Sequence, residues 1–123
     1  MKKILVVDDD PYILMSLEFL MKKGGNAVMV ARNGTEALDF INTNKPDLIL
    51  LDIMMPDVDG YSICEYVKTT SALSDIIIVF LSAKTKEVDI QKGYDLGAAL
   101  FISKPFSTRN LMKEVNILLG VAE

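Results

Sequence analysis

Three consecutive aspartates, Asp8-Asp9-Asp10, and a lone one, Asp52, each come directly after a short apolar run in this 123-residue chain. Ser82 and Lys104 stand after two more such runs. Carboxylates, a hydroxyl and an ammonium, once gathered, are the parts that stabilise a phosphoryl group in transfer around a carboxylate nucleophile. Three carboxylates facing one another repel, which raises at least one pKa unless a cation is present. The chain has no histidine, so triads and imidazole relays are closed to it. Oxygen donors alone favour a hard ion, and Mg2+ is the natural candidate, held by one or two carboxylates with waters and substrate oxygens. The bland alternatives are that Asp52 only caps a turn and that Lys104 only neutralises the acids in a structural salt bridge.

The runs that deliver these residues read as strands. Leu48-Ile49-Leu50-Leu51 has no polar face, so it is expected to be buried on both sides, as in a parallel sheet. Asp52 then sits at the sheet's mouth, where open α/β sheets place their chemistry. Pro56 and Gly60 end the strand and shape the connection to the next helix. Ile4 to Val7 is the first strand, and Asp10 with Pro11 is a helix start. Ile13, Leu14, Leu17, Leu20 and Met21 recur at helical spacing before Gly24-Gly25 ends that helix. Ala27 to Ala31 is the second strand. Asn33-Gly34 reads as a turn before a short helix marked by Ala37, Leu38 and Ile41, which Lys45-Pro46 breaks.

Beyond Gly60, Ile63, Cys64 and Val67 mark a third helix, and Ile76 to Phe80 a fourth strand ending at Leu81-Ser82-Ala83. A fourth helix, about Lys86 to Leu96, is weakly amphipathic. Gly93 inside it costs about 1 kcal/mol relative to alanine. Leu100-Phe101-Ile102 is the fifth strand, and the last helix starts near Ser107 and buries Leu111, Val115, Leu118 and Leu119. Five strands alternating with five helices on short loops predict a parallel sheet with helices on both faces. Right-handed crossovers put every strand's carboxyl end on one edge.

Composition narrows the function classes. Half the residues are hydrophobic, 24% are charged and the net charge is −4, a globular balance with no basic cluster to track a phosphate backbone. Direct nucleic-acid binding is not expected. One cysteine, Cys64, excludes an internal disulfide, fits a reducing compartment and reads as a small core residue. Met1-Lys2-Lys3 and four apolar residues are too short for a signal h-region or a membrane span, so a cytoplasmic protein is expected. At this length the chain is expected to be one domain, residues 1–123, with no repeat or linker.

Val7-Asp8-Asp9, Asp52-Ile53-Met54-Met55-Pro56 with Gly60, Leu81-Ser82-Ala83-Lys84 and Phe101-Ile102-Ser103-Lys104-Pro105-Phe106 together resemble the response-regulator receiver domains of two-component signalling, the CheY-like family. The match runs from Lys3 to about Leu119. The resemblance implies a doubly wound, flavodoxin-like sheet of strand order 2-1-3-4-5. It implies that Asp52 accepts phosphate from a partner kinase's phosphohistidine, or from a histidine phosphotransfer protein. Asp9 and Asp52 would ligate Mg2+ directly, Asp8 largely through water, and the Met54 backbone carbonyl would be a further ligand. Ser82 and Lys104 would contact the phosphoryl oxygens, and the Lys104-Pro105 bond would be cis. The resemblance further implies that on phosphorylation Ser82 would move and Phe101 would swing inward, repacking the surface of the fourth helix, fifth strand and fifth helix. Such a chain is a signalling phosphoacceptor, with self-catalysed transfer and dephosphorylation, rather than an enzyme acting on an external substrate.

Some positions depart from the family's commonest pattern. Ser82 stands where threonine is frequent, which keeps the hydroxyl, and Ala98-Ala99-Leu100 makes the approach to Phe101 more apolar. Met54 and Lys84 occupy positions that tune dephosphorylation. Asp8-x-Asp10 also resembles the haloacid-dehalogenase phosphatases, but Pro11-Tyr12 follows where a small residue is usual and the chain has no room for a cap domain. A flavodoxin-like FMN carrier shares the topology, yet the acids would repel its phosphate and no phosphate loop follows the first strand. A pseudo-receiver that binds partners unphosphorylated is the remaining alternative, against which the complete acid, hydroxyl and lysine set argues. With no output domain after Gly120, the chain is expected to act by docking or relay, or to be part of a longer one.

Overall fold

The computed structural model describes residues 1–84 and 86–121. The last two residues of the expected 1–123 domain therefore lie outside the described residues. In chain order the elements are β1 (Lys3–Val7), α1 (Pro11–Lys23), β2 (Ala27–Ala31), α2 (Gly34–Asn44), β3 (Leu48–Leu51), α3 (Gly60–Thr69), β4 (Ile77–Ser82), α4 (Glu87–Asp95), β5 (Leu100–Ser103) and α5 (Thr108–Leu119). The strands form one parallel sheet in the order β2-β1-β3-β4-β5. This is the expected doubly wound fold.

Alternation along the strands splits the core in two, because successive side chains point to opposite faces. Leu5, Val7, Ile49, Leu51, Ile78 and Phe80 pack with Ala37 and Ile41 of α2 and Ile63, Cys64 and Val67 of α3. Ile4, Val6, Leu48, Leu50, Val79 and Leu81 pack on the other face with Leu14, Leu17 and Met21 of α1 and Leu111 and Val115 of α5. Both faces are covered, which is why β1, β3 and β4 read as unbroken apolar runs. Cys64 is fully buried, and burial pushes its thiol up to about 11.

Side-chain caps set most helix starts. Asp10 accepts from Tyr12 N, Asn33 from Glu36 N, Asp59 from Ser62 N and Ser107 from Asn110 N. Only α4 has no side-chain cap, and Gly93 is its one buried residue. Three boundaries differ from the sequence reading. Asn33-Gly34 is not a turn between elements, because the Asn33 side chain caps α2 directly and Gly34 is its first residue. β4 starts at Ile77 and runs through Ser82, so Ser82 closes the strand rather than following it. β5 likewise includes Ser103, paired in register with Ser82. At the end of α5, Leu118 and Leu119 are half-buried rather than buried. Among the described residues no helix is long and apolar enough to cross a membrane.

Candidate functional site

The carboxyl edge of the sheet gathers the residues that sequence spacing singled out. Backbone bonds place them. Asp8 N donates to Ala31 O (3.2 Å), Asp52 N to Val7 O (3.0 Å) and Lys104 N to Ser82 O (2.9 Å), so each residue leaves its strand held to the end of the neighbouring one. Asp8, Asp52 and Ser82 are buried, and they are the only buried polar or charged side chains among the described residues. Asp9 is exposed beside them. One carboxylate oxygen from each of Asp8, Asp9 and Asp52 lies within 4.8 Å of the others.

The Lys104 ammonium reaches into this group, 2.7 Å from Asp8 Oδ2 and 3.6 Å from Asp52 Oδ1. Burial pulls its pKa down, but the hydrogen bond that Lys104 donates to Asp8 and the charges of Asp52 and Asp8 outweigh that and raise it. Burial is also the largest influence on Asp52. Together with the neighbouring Asp8 charge it overcomes the pull of Lys104 and raises the Asp52 carboxyl to about 6. The Asp8 part of that rise is the repulsion expected of clustered acids, and it adds to the larger effect of burial. Ser82 Oγ accepts from Lys84 N at 3.1 Å, and the Lys104-Pro105 bond is cis.

The loop after Asp52 is folded tightly back. Gly60 N donates to Ile53 O at 2.8 Å, and a Cβ on Gly60 would run into the Asp52 carbonyl oxygen. Glycine is thus needed for close backbone approach, not for an unusual φ. Asp9, Met54, Met55, Tyr61, Lys84 and Lys92 line an open cleft of about 610 Å3 beside the acids. The oxygen-only donor set, its small separation and its net negative charge fit a hard divalent cation such as Mg2+ better than a soft metal.

Phe101 lies apart from the acids, half-buried on β5, with its ring 5.9 Å from that of Phe80. Phe80 in turn meets Tyr61 edge-on at 5.6 Å. The Tyr61 hydroxyl donates to Asp89 O (3.0 Å), and Lys92 Nζ stands 4.4 Å over its ring. Sequence reading missed Tyr61 and Lys92, because a tyrosine beside a helix-starting glycine carries no motif. It also missed Asp57, which reads as one more loop acid yet reaches α2.

A family model described as the response regulator receiver domain matches residues 4–116. Among solved structures, the receiver domain of Francisella response regulator 1452 is 34% identical, with a TM-score of 0.91 over 98% of each chain. A putative response regulator from Chloroflexus aurantiacus is 31% identical, with a TM-score of 0.91 over 97% of this chain and 98% of that one. The signal receiver domain of a signal transduction histidine kinase from Syntrophus aciditrophicus is 32% identical, with a TM-score of 0.90 over 98% of this chain and 91% of that one.

Proposed function

The chain belongs to the response regulator receiver domain family, and from that premise we propose that Asp52 accepts a phosphoryl group from a phosphohistidine on a sensor kinase or phosphotransfer protein. The observation that carries this is the meeting of Asp8, Asp9 and Asp52 within 4.8 Å under the Lys104 ammonium. An Asp52 carboxylate oxygen forms the new P–O bond as the P–N bond to the imidazole breaks. The imidazole leaves with that bonding pair and takes up a proton, and the product is an acyl phosphate. Asp9 and Asp52, with the Met54 carbonyl and with Asp8 acting largely through water, are the residues to hold Mg2+. When bound, Mg2+ neutralises the carboxylates and the charge gathering on the phosphoryl oxygens. Lys104 is placed to leave Asp8 and pair with one of those oxygens, and the Ser82 hydroxyl to turn from Lys84 N and donate to another.

The acyl phosphate is lost again when water attacks phosphorus and the P–O bond to Asp52 breaks, releasing inorganic phosphate and the Asp52 carboxylate. Met54 and Lys84 of the cleft lining govern the access of that water. Such a chain passes on a signal rather than turning over an external substrate. We read residues 1–123 as a single receiver domain acting in the cytoplasm, with Ser82 and Phe101 coupling phosphorylation to the surface of α4, β5 and α5. A small-molecule phosphodonor with Mg2+ is expected to give base-labile phosphate on the wild type and none on Asp52→Asn. Absence of labelling on a folded wild type would leave a binding module that works unphosphorylated. Labelling that survives the substitution would move the nucleophile to Asp8 or Asp10.

A further inference from the structure

We propose that Asp57 is a positioning residue for the cation site, clamping the loop that carries Met54 onto the start of α2. The inference rests on the Mg2+ reading above. Asp57 Oδ1 accepts from Gly34 N (2.9 Å), and its Oδ2 accepts from Thr35 N (2.9 Å) and Thr35 Oγ1 (2.6 Å). The next two N–H groups of α2 are served locally, Glu36 N by the Asn33 side chain and Ala37 N by the first bond of the helix, to the Asn33 carbonyl. Helix α2 thus has its own cap, and the distant carboxylate adds a tether between helix and loop.

The packing is as close as the bonding. A Cβ on Gly34 would lie 2.5 Å from Val58 Cβ and 2.6 Å from Val58 O, so the loop rests directly on the helix. The loop's other end is closed by Gly60 N on Ile53 O. Met54 lies between these two fastenings, and it shares the cleft with Asp9. The Thr35 hydroxyl first, then the Gly34 and Thr35 N–H groups, hold the Asp57 carboxyl well below the ordinary range. A ligand carbonyl on a loosened loop loses affinity for a cation that demands near-ideal octahedral placement.

Mg2+ titration calorimetry on the full chain, well below its melting temperature, tests this. Asp57→Ala is expected to weaken Mg2+ binding about tenfold. Asp57→Asn, which keeps an acceptor oxygen, recovers part of the loss. Thr35→Val weakens binding in the same direction, and the double variant is no weaker than Asp57→Ala alone, because both remove one clamp. Asp47→Ala, which loses a carboxylate bond to Lys3 N (2.8 Å) at the opposite end of the sheet, lowers the melting temperature without changing Mg2+ affinity. If Asp57→Ala does not fold, Thr35→Val carries the test. Wild-type affinity in the folded Asp57 and Thr35 variants overturns the inference alone. A wild type that takes no Mg2+ removes the reading beneath it and the inference together.

Discussion

Asp52 is ionised at neutral pH against the preference of its surroundings. It is 6% exposed beside Asp8 and Asp9 with one ammonium to serve the group. A folded-state value of about 6 against an ordinary 3.8 means that the folded chain binds the proton more tightly than the unfolded one. The Asp52 contribution to stability of the metal-free protein therefore falls as pH rises from ~4 to ~6, and it stays reduced at pH 7. Asp52→Asn removes that charge and is expected to stabilise the metal-free protein by about 1–2 kcal/mol at pH 7, with no gain below pH ~4. Urea midpoints across that pH range read it out, and a variant destabilised at pH 7 would contradict this electrostatic account. Saturating Mg2+ is expected to reverse the order, since the wild type gains binding free energy that the variant largely lacks. Lys104→Met acts oppositely. It strands buried Asp8 without its 2.7 Å partner, and a loss of about 3 kcal/mol is expected in the same denaturation experiment.

Helix α4 is held by a few specific contacts in place of an apolar stripe. Gly93 rests on the sheet where a Cβ would come within 3.1 Å of both Phe80 Cδ2 and Phe101 Cδ2. Tyr94 lends its hydroxyl to Phe101 N at 3.1 Å, on the open edge of β5. Gly93→Ala should gain about 1 kcal/mol of helix propensity, but fully buried Phe80 has little room to yield. We expect the variant to be destabilised by about 1 kcal/mol, and a higher urea midpoint would show that the rings give way. Tyr94→Phe removes the acceptor and returns the Phe101 N–H to water. Its expected cost is ~1 kcal/mol, with faster amide exchange at Phe101 as the specific readout. The weakness of this helix was legible in its sequence, through Gly93 and the thin apolar pattern. The reason for the glycine was not, because it depends on Phe80 lying beside Phe101 across β4 and β5. Asn33-Gly34 misled for a related reason. The same residues suit a turn and a helix start. In the fold the Asn33 side chain caps Glu36 N, and contacts with Asp57 and Val58, over twenty residues away, add to that cap.

The sheet as a whole was readable because its central strands are covered on both faces, so each appears as an unbroken apolar run ended by a polar residue. Parallel crossovers then bring those ends to one edge, and Asp8, Asp52, Ser82 and Lys104 meet there from four strands. Contacts that join loop to helix, such as Asp57 on α2 or Tyr61 on the Asp89 carbonyl, leave no periodic trace in the chain. The same layout says where a change at Asp52 can be felt. A phosphoryl group adds about −1.5 to −2 charge and three acceptor oxygens at a rim whose cation and hydroxyl come from β5 and β4. Beside those strands lies α4, the helix with the fewest buried side chains, whereas α1 and α2 are capped and packed. Amide exchange of the full chain with Mg2+ and the phosphoryl mimic beryllofluoride should therefore change across residues 82–106 and stay constant in β1, β2 and β3. Asp52→Asn under the same conditions should show no change. Equal protection of residues 82–106 with and without the mimic, on a wild type that binds it, would mean that the signal leaves by another surface.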